Sequence, residues 1–294
     1  IFAGNGFAYA ARGGGLYANG GILTVVDTLF ANNYISADSE NEKLGGGVAA
    51  ENTTSTFTRC SFLSNYLRLR HGNAFGGAAY LYGGNVTFAE CAFKTNSVVG
   101  YQFAAQPRAG ALYAVDVNPL AIQSCSVSAN YAQGPNQIAN VIYLSGAALN
   151  ATIADSEIAD NLYPGAPQDI CLASAGKVTV SHSISRGSTS GGFVKTGVGI
   201  LVITNSLIVQ HPGNALAVQG GTVNVMNSTV AANSGWGLTN SSATVTLKDS
   251  IVWDNAAGGV STNGLTATYT CSQDILAGDG NMTTNPRFAF GYYL

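Results

Sequence analysis

The sequence predicts an all-β fold, a single-stranded parallel β-helix of about ten coils with stacked loop insertions on its N-terminal half. Three observations predict it: a nine-residue pattern that recurs along the chain, abundant glycine, and scarce charge. The pattern is an apolar residue, two others, a small residue, one other, an apolar residue, two others, then Asn. "FTRCSFLSN" (57–65) and "FAECAFKTN" (88–96) are clean copies. Glycine supplies 37 of 294 residues, and charged residues only 9%, against about 25% in an average soluble domain. Tight corners between short strands call for glycine, and strands that bury one side leave little room for charge.

The copies follow in order along the chain. They begin with Val25–Thr28–Phe30–Asn33, Phe57–Cys60–Phe62–Asn65 and Phe88–Cys91–Phe93–Asn96. Ile122–Cys125–Val127–Asn130 and Ile153–Ser156–Ile158–Asn161 come next, then a degenerate copy around Ser183. Ile203–Ser206–Ile208–His211, Val225–Ser228–Val230–Asn233 and Leu247–Ser250–Val252–Asn255 complete the series, with Ser272 expected to mark a last, incomplete coil. The small-residue anchors lie about 31 to 34 residues apart early on and about 22 apart later. Twelve residues before most anchors an apolar residue follows glycine: Leu16, Val48, Ala79, Val194, Leu216 and Leu238.

A unit of about 22 residues holds two or three short strands and cannot bury a face alone. Stacked at about 4.8 Å per rung, ten such units make a rod roughly 45–50 Å long. Insertion-bearing coils are expected at about 13–171, regular coils at about 172–272 and a closing segment at 273–294, all in one domain, 1–294.

The pattern also predicts two ladders. Asn33, Asn65, Asn96, Asn130, Asn161, Asn233 and Asn255 recur at one turn, each amide bonding to backbone and to the next Asn. Cys60, Cys91 and Cys125 share the small inward site and stack as free thiols, because parallel Cβ vectors suit a disulfide poorly. There are five cysteines and no C-x-x-C pair, so no zinc site, and no metal or cofactor, is expected.

These residues carry a resemblance. "GGGLY", "GGGVA" and "GGAAY", with "FANN", "FLSN" and "FKTN", resemble the GGA[ILV] and FxxN repeats of chlamydial polymorphic outer membrane proteins. The tail "YTCSQDILAGDGNMTTNPRF" is similar to the closing coil of secreted β-helix proteins, with Asn285 where the usual pattern has Asp. The resemblance implies a right-handed helix of the pectin-lyase-like superfold and an extracellular or cell-surface location. Parallel crossovers favour the same hand. That superfold hosts enzymes, adhesins and structural rods, so function must come from the site.

The insertions follow the Asn ladder and are expected to leave the rod at one corner as a stacked flap. The first is acidic at Asp38, Glu40 and Glu42, and the second basic at Arg68, Arg70 and His71, which predicts ion pairs between them. Beside the flap, Tyr17, Tyr80, Tyr113 and Tyr143 recur on one outward strand position, with Lys195, Ala217 and Thr239 there in the bare coils. Two readings of this strip stand: a small second core under the insertions, or an aromatic platform for sugars or a protein partner.

The residues preceding the anchors make a further outward column: Asp27, Arg59, Glu90, Ser124, Asp155, His182, Asn205, Asn227 and Asp249. It reads as a surface ion ladder, with no catalytic residue assigned. His211 replaces a ladder Asn and reads as structural. Sequons occur at Asn52, Asn85, Asn150, Asn227, Asn240 and Asn281, on corners, outward sites or the tail.

A net charge of −3 gives no nucleic-acid footprint, no apolar run is long enough to span a membrane, and no signal-peptide pattern opens the chain. The expectation is a non-catalytic extracellular structural or adhesive module, binding surface glycans or self-associating end to end or through the flap. The alternative is a carbohydrate-binding or polysaccharide-cleaving β-helix.

Overall fold

A computed structural model describes residues 1–7, 11–37, 41–102, 105–134, 140–162, 170–261, 263–289 and 292. Every ordered element in it is a strand, and every strand pairing is parallel.

Three long sheets run the length of the molecule. Sheet A has ten strands, from Ile22–Val26 to Leu265–Thr268. Sheet B has eleven, from Phe2–Ala3 and Leu29–Ala31 to Cys271–Ser272. Sheet C has ten, from Leu16–Asn19 to Gly258–Val260. One coil visits C, A and B in turn and then enters the coil above, so strands neighbouring in a sheet lie one coil apart in sequence. The chain is a parallel β-helix.

Alternation fills the interior. Phe57, Phe88, Ile122 and Ile153 superpose on sheet A, and Phe30, Phe62 and Phe93 on sheet B. The phenyl rings stack face to face at 5.0 Å (Phe30–Phe62), 4.7 Å (Phe62–Phe93) and 4.9 Å (Phe57–Phe88). One continuous apolar column, from Val25 to Leu276, forms the core.

Both predicted ladders are present. Asn65 donates its Nδ2 to Asn96 Oδ1 at 3.0 Å and to Phe30 O at 2.8 Å, and Asn96 Oδ1 also accepts the Asn65 backbone N–H. The ladder gains a rung at Asn5, whose Nδ2 donates to Asn33 Oδ1. It is capped at the other end by Gln273, whose side chain accepts from Asn255 N and donates to Asn255 O. Between Asn161 and Asn233 the amides give way to Ser188 and His211. The five cysteines are free and buried.

The corners explain why the residue before each anchor points outward. Asp27, Arg59, Glu90, Ser124, Asp155, His182, Asn205, Asn227 and Asp249 all adopt left-handed backbone, φ 49–54°. A second such column precedes the Asn ladder, at Asn32, Ser64, Thr95, Ala129 and Asp160. These side chains project from turns rather than from alternating strands.

The insertions are not irregular loops. They build two further parallel sheets: Gly6–Phe7, Tyr34–Ala37, Tyr66–Leu69, Ser97–Gly100 and Tyr131–Gln133 in one, and Lys43–Leu44, Gly72–Phe75 and Ala105–Arg108 in the other. Ile35, Leu67, Leu69, Ala74, Val98 and Ala105 give this lobe its own small core. Glycine is required where the chain leaves and re-enters the rod. A Cβ on Gly46 would sit 2.3 Å from Gly77 O and 3.0 Å from Tyr66 N.

Two register expectations are corrected. Phe193, not Val194, aligns with Leu216, so Val194 occupies the tyrosine column and Lys195 points inward beside Val218, 1% exposed. The last anchor is Thr270, not Ser272: Cys271 pairs with Ile251, Tyr269 takes the left-handed position, and Thr270 Oγ1 donates to Thr268 O as Ser250 Oγ does to Lys248 O. The final coil is two residues shorter than its neighbours, which hides this register from the sequence.

Candidate functional site: a groove at the A–B corner

Along the corner between sheets A and B runs an open groove of about 470 Å³. Glu90, Ser124, Asp155 and His182 form one wall, thrown outward by their left-handed turns. Ala92, Ser126, Glu157 and Ile184 form the other, on the first outward position of sheet B. Cys91 and Cys125 lie at the floor, each 3% exposed. Successive wall residues belong to successive coils, so the groove lies along the rod and repeats at the rung spacing of about 4.8 Å.

Charge along this corner is unevenly compensated. Arg59 holds Asp27 through two hydrogen bonds, 2.7 and 2.9 Å, which lower the Asp27 pKa and raise that of Arg59. Arg186 bonds Glu157 at 2.8 Å and reaches Asp160 at 3.4 Å. His182 Nε2 lies 3.4 Å from Asn205 Nδ2. The expected ion ladder is present at its first step, Asp27–Arg59. Sequence reasoning placed Glu90, Asp155 and His182 in one column and made Asp155 and Glu157 outward neighbours, but did not foresee a groove with Ala92, Ser126, Glu157 and Ile184 as its second wall. The signal was available, since Glu157 follows its anchor by one residue and Asp155 precedes it by one.

The tyrosine strip lies in the crevice between the lobe and sheet C. Tyr80, Tyr113 and Tyr143 stack on one another at 5.7 and 4.9 Å, nearly parallel, and Phe75 of the lobe stacks on Tyr113 at 4.5 Å. Their ring faces are therefore taken up by each other. Arg108 lies over the Tyr143 ring and donates to its hydroxyl. Burial pushes the phenols up, Tyr113 to about 12. Tyr17 stands apart, 43% exposed, with Ala49 in the coil between and its hydroxyl on Glu51, which also pairs with Arg12. This arrangement matches a second core better than a platform for sugar rings.

Of the acids expected to pair with Arg68, Arg70 and His71, Asp38 and Glu40 lie outside the described residues, and Glu42 is exposed in a cleft lined also by Arg12 and Tyr17. Arg68 packs over Tyr101, and Lys43 is buried with its Nζ on His71 O. Among the sequons, Asn52, Asn150 and Asn227 are exposed and Asn85 is half-buried. Asn240 is corrected: it is buried, and its Nδ2 donates to Ala243 O and Asn263 O, so it is not presented as an acceptor. The Asn281 amide is likewise engaged, on Ala267 O and Ala277 O.

Three comparisons bear on this chain. No protein-family model and no curated protein sequence matches it, so the resemblance to polymorphic outer membrane protein repeats gains no support there. Among solved structures it is similar to the periplasmic alginate epimerase AlgG, with TM-score 0.41 and 9% identity over 87% of this chain and 78% of that one. A double mutant of the same enzyme aligns with TM-score 0.39 and 10% identity over 91% and 77% of the two chains. At these scores the chemistry of the groove rests on its own residues. No group of three or more metal-ligating side chains converges among the described residues, and no described helix is long and apolar enough to cross a membrane.

Proposed function

We propose that this protein is an extracellular β-helix that binds a carbohydrate chain along the A–B groove. The observation that carries this reading is the groove's form. It is open, runs along the rod, and repeats hydroxyl and carboxylate groups from coil to coil. A small ligand asks for an enclosed, largely apolar pocket. An extended polymer of hydroxyl-rich units is matched instead by a long polar channel. Glu90, Ser124, Asp155 and Glu157 would accept hydrogen bonds from sugar hydroxyls, with His182 at the end of the wall.

The test is titration calorimetry against neutral, acidic and amino-bearing oligosaccharides, with product release scored separately. The doubly substituted Glu90→Gln, Asp155→Asn protein should bind more than ~10-fold more weakly, since each removes a charge-assisted hydrogen bond. Failure of every glycan to bind would sink the proposal. Release of shortened or unsaturated products would make the groove a cleavage site.

A second reading, a structural or adhesive module, is favoured by a separate observation. Strand Ile22–Val26 pairs only with Thr54–Thr58 among the described residues, so its other backbone edge is open, and its outward-facing Ile22 and Val26 are 86% and 44% exposed. An apolar strand edge of this kind recruits another strand. Light scattering that finds only monomers at high concentration would remove this reading.

A further inference from the structure

We propose that the outward face of sheet A is an ice-binding surface. Its central column is built mostly of threonine. The strand register superposes Thr24, Thr56 and Thr87, then, past Ala121, Thr152 and Thr179, and then, past Val202 and Asn224, Thr246 and Thr266. Along the chain these threonines sit in unlike segments, such as "TSTFT" and "TVTLK", and only the coils bring them into one line. At several rungs a second threonine stands two residues away on the same strand and face: Thr54 and Thr58 beside Thr56, Thr244 beside Thr246, Thr268 beside Thr266.

The geometry suits a crystalline water layer. Successive rungs repeat at about 4.8 Å, and outward side chains two apart on a strand repeat at about 6.7 Å. Rows of oxygen atoms on a prism face of ice repeat at similar spacings in two perpendicular directions. Branching at Cβ restricts χ1, so each threonine holds its hydroxyl and methyl stiffly. The groups are in place before contact, and little freedom is lost on binding. The column hydroxyls have no protein partner among the described residues, and each threonine is half-buried or exposed, so each hydroxyl can bond water.

Chemistry and access select the same ligand. Charge keeps a hydration shell that resists the ice lattice, and on this face it is confined to Lys177 and Lys248, at the start of one strand and the end of another. The central column is uncharged. A crystalline polysaccharide would ask for aromatic rings to stack on. No strand of sheet A presents one outward, since Phe57 and Phe88 point into the core. The insertions leave the rod between sheets B and C, so the described lobe is rooted away from this face.

Thermal hysteresis and inhibition of ice recrystallisation test this on the folded full chain. The wild type should show both. Thr152→Lys with Thr179→Lys sets two protruding ammoniums in mid-column, holds the face off a flat crystal and should abolish both. Lys177 and Lys248 already stand on this face, so the sheet accepts lysine, and the β-sheet circular dichroism should be unchanged. Thr87→Lys alone should reduce both activities. Thr239→Lys, on sheet C, and Glu90→Gln with Asp155→Asn, in the groove, should keep them in full. No effect of the wild type on ice, full activity in the folded Thr152→Lys, Thr179→Lys protein, or its loss in Thr239→Lys would each overturn the proposal. Asn85 and Asn150 flank the column two residues before Thr87 and Thr152. A glycan found at either by mass spectrometry of the native protein would cover the threonines and overturn it too.

Discussion

Replacing Asn96 by Ala tests how the ladder holds the rod. Asn96 is fully buried and makes four side-chain hydrogen bonds. Its Nδ2 donates to Phe62 O at 2.9 Å and Asn130 Oδ1 at 3.0 Å, and its Oδ1 accepts from Asn65 N and Asn65 Nδ2, both at 3.0 Å. The damage is directional. Asn130 Oδ1 keeps the Asn96 backbone N–H, and the Asn65 amide keeps Phe30 O. Two donors lose their acceptor: the Asn65 backbone N–H and one N–H of its side chain. An orphaned buried donor costs about 1–3 kcal/mol, so the substitution should destabilise by about 4 kcal/mol. Urea unfolding measures the total, and hydrogen exchange locates it. The Asn65 amide should lose protection, while amides several coils away keep theirs, because a solenoid couples mainly nearest neighbours. A loss below about 1 kcal/mol with an unchanged Asn65 amide would refute the ladder as a source of stability.

Two further predictions concern buried titratable groups. His211 sits in the ladder with Nε2 on Ser185 Oγ and Nδ1 buried without a partner, and desolvation lowers its pKa from 6.5 to about 4. The unfolded chain binds this proton first as pH falls, so stability should drop by about 3 kcal/mol from pH 7 to pH 4. His211→Asn should remove that part of the pH dependence, as thermal melts across the range will show. Lys195→Met should stabilise by about 1–2 kcal/mol near neutral pH, since it removes a desolvated ammonium whose Nζ has Gly197 O as its partner, on a residue 1% exposed. Desolvation lowers the Lys195 pKa, so the wild type binds this proton less well folded than unfolded. Its disadvantage against Met should therefore shrink as pH rises from the depressed value toward 10.5. A stability gap that stays constant into that alkaline range would contradict this.

The parts of the molecule legible in the sequence were those fixed by periodicity. Phe62, Phe93, Cys91 and Asn96 fell at constant offsets, and constant offsets in a solenoid become vertical stacks. What the sequence left open was decided in the third dimension. The insertions were recognised as extra length, yet their own strand alternation, as in Tyr66–Leu69, becomes a second core only once Leu67 and Leu69 face Ala74 across the lobe. Tyr80, Tyr113 and Tyr143 were placed in one column, but nothing in the sequence tells whether rings face solvent or each other. Lys195 was misplaced because the glycines before Phe193 invite the wrong residue into register. The groove was missed because its two walls come from opposite sides of each anchor.

The break in the ladder has a mechanical consequence. From Asn33 to Asn161 the amides form an unbroken chain of side-chain bonds, and a second runs from Asn233 to Asn255. Between them Ser188 Oγ reaches Asn161 N at only 3.4 Å, and His211 carries an unpaired nitrogen. Pulled by its two ends, the rod should yield first at these coils. It would part into a stiff N-terminal block bearing the lobe and a shorter, slimmer C-terminal block, with the rupture force set by this joint rather than by the rod's length.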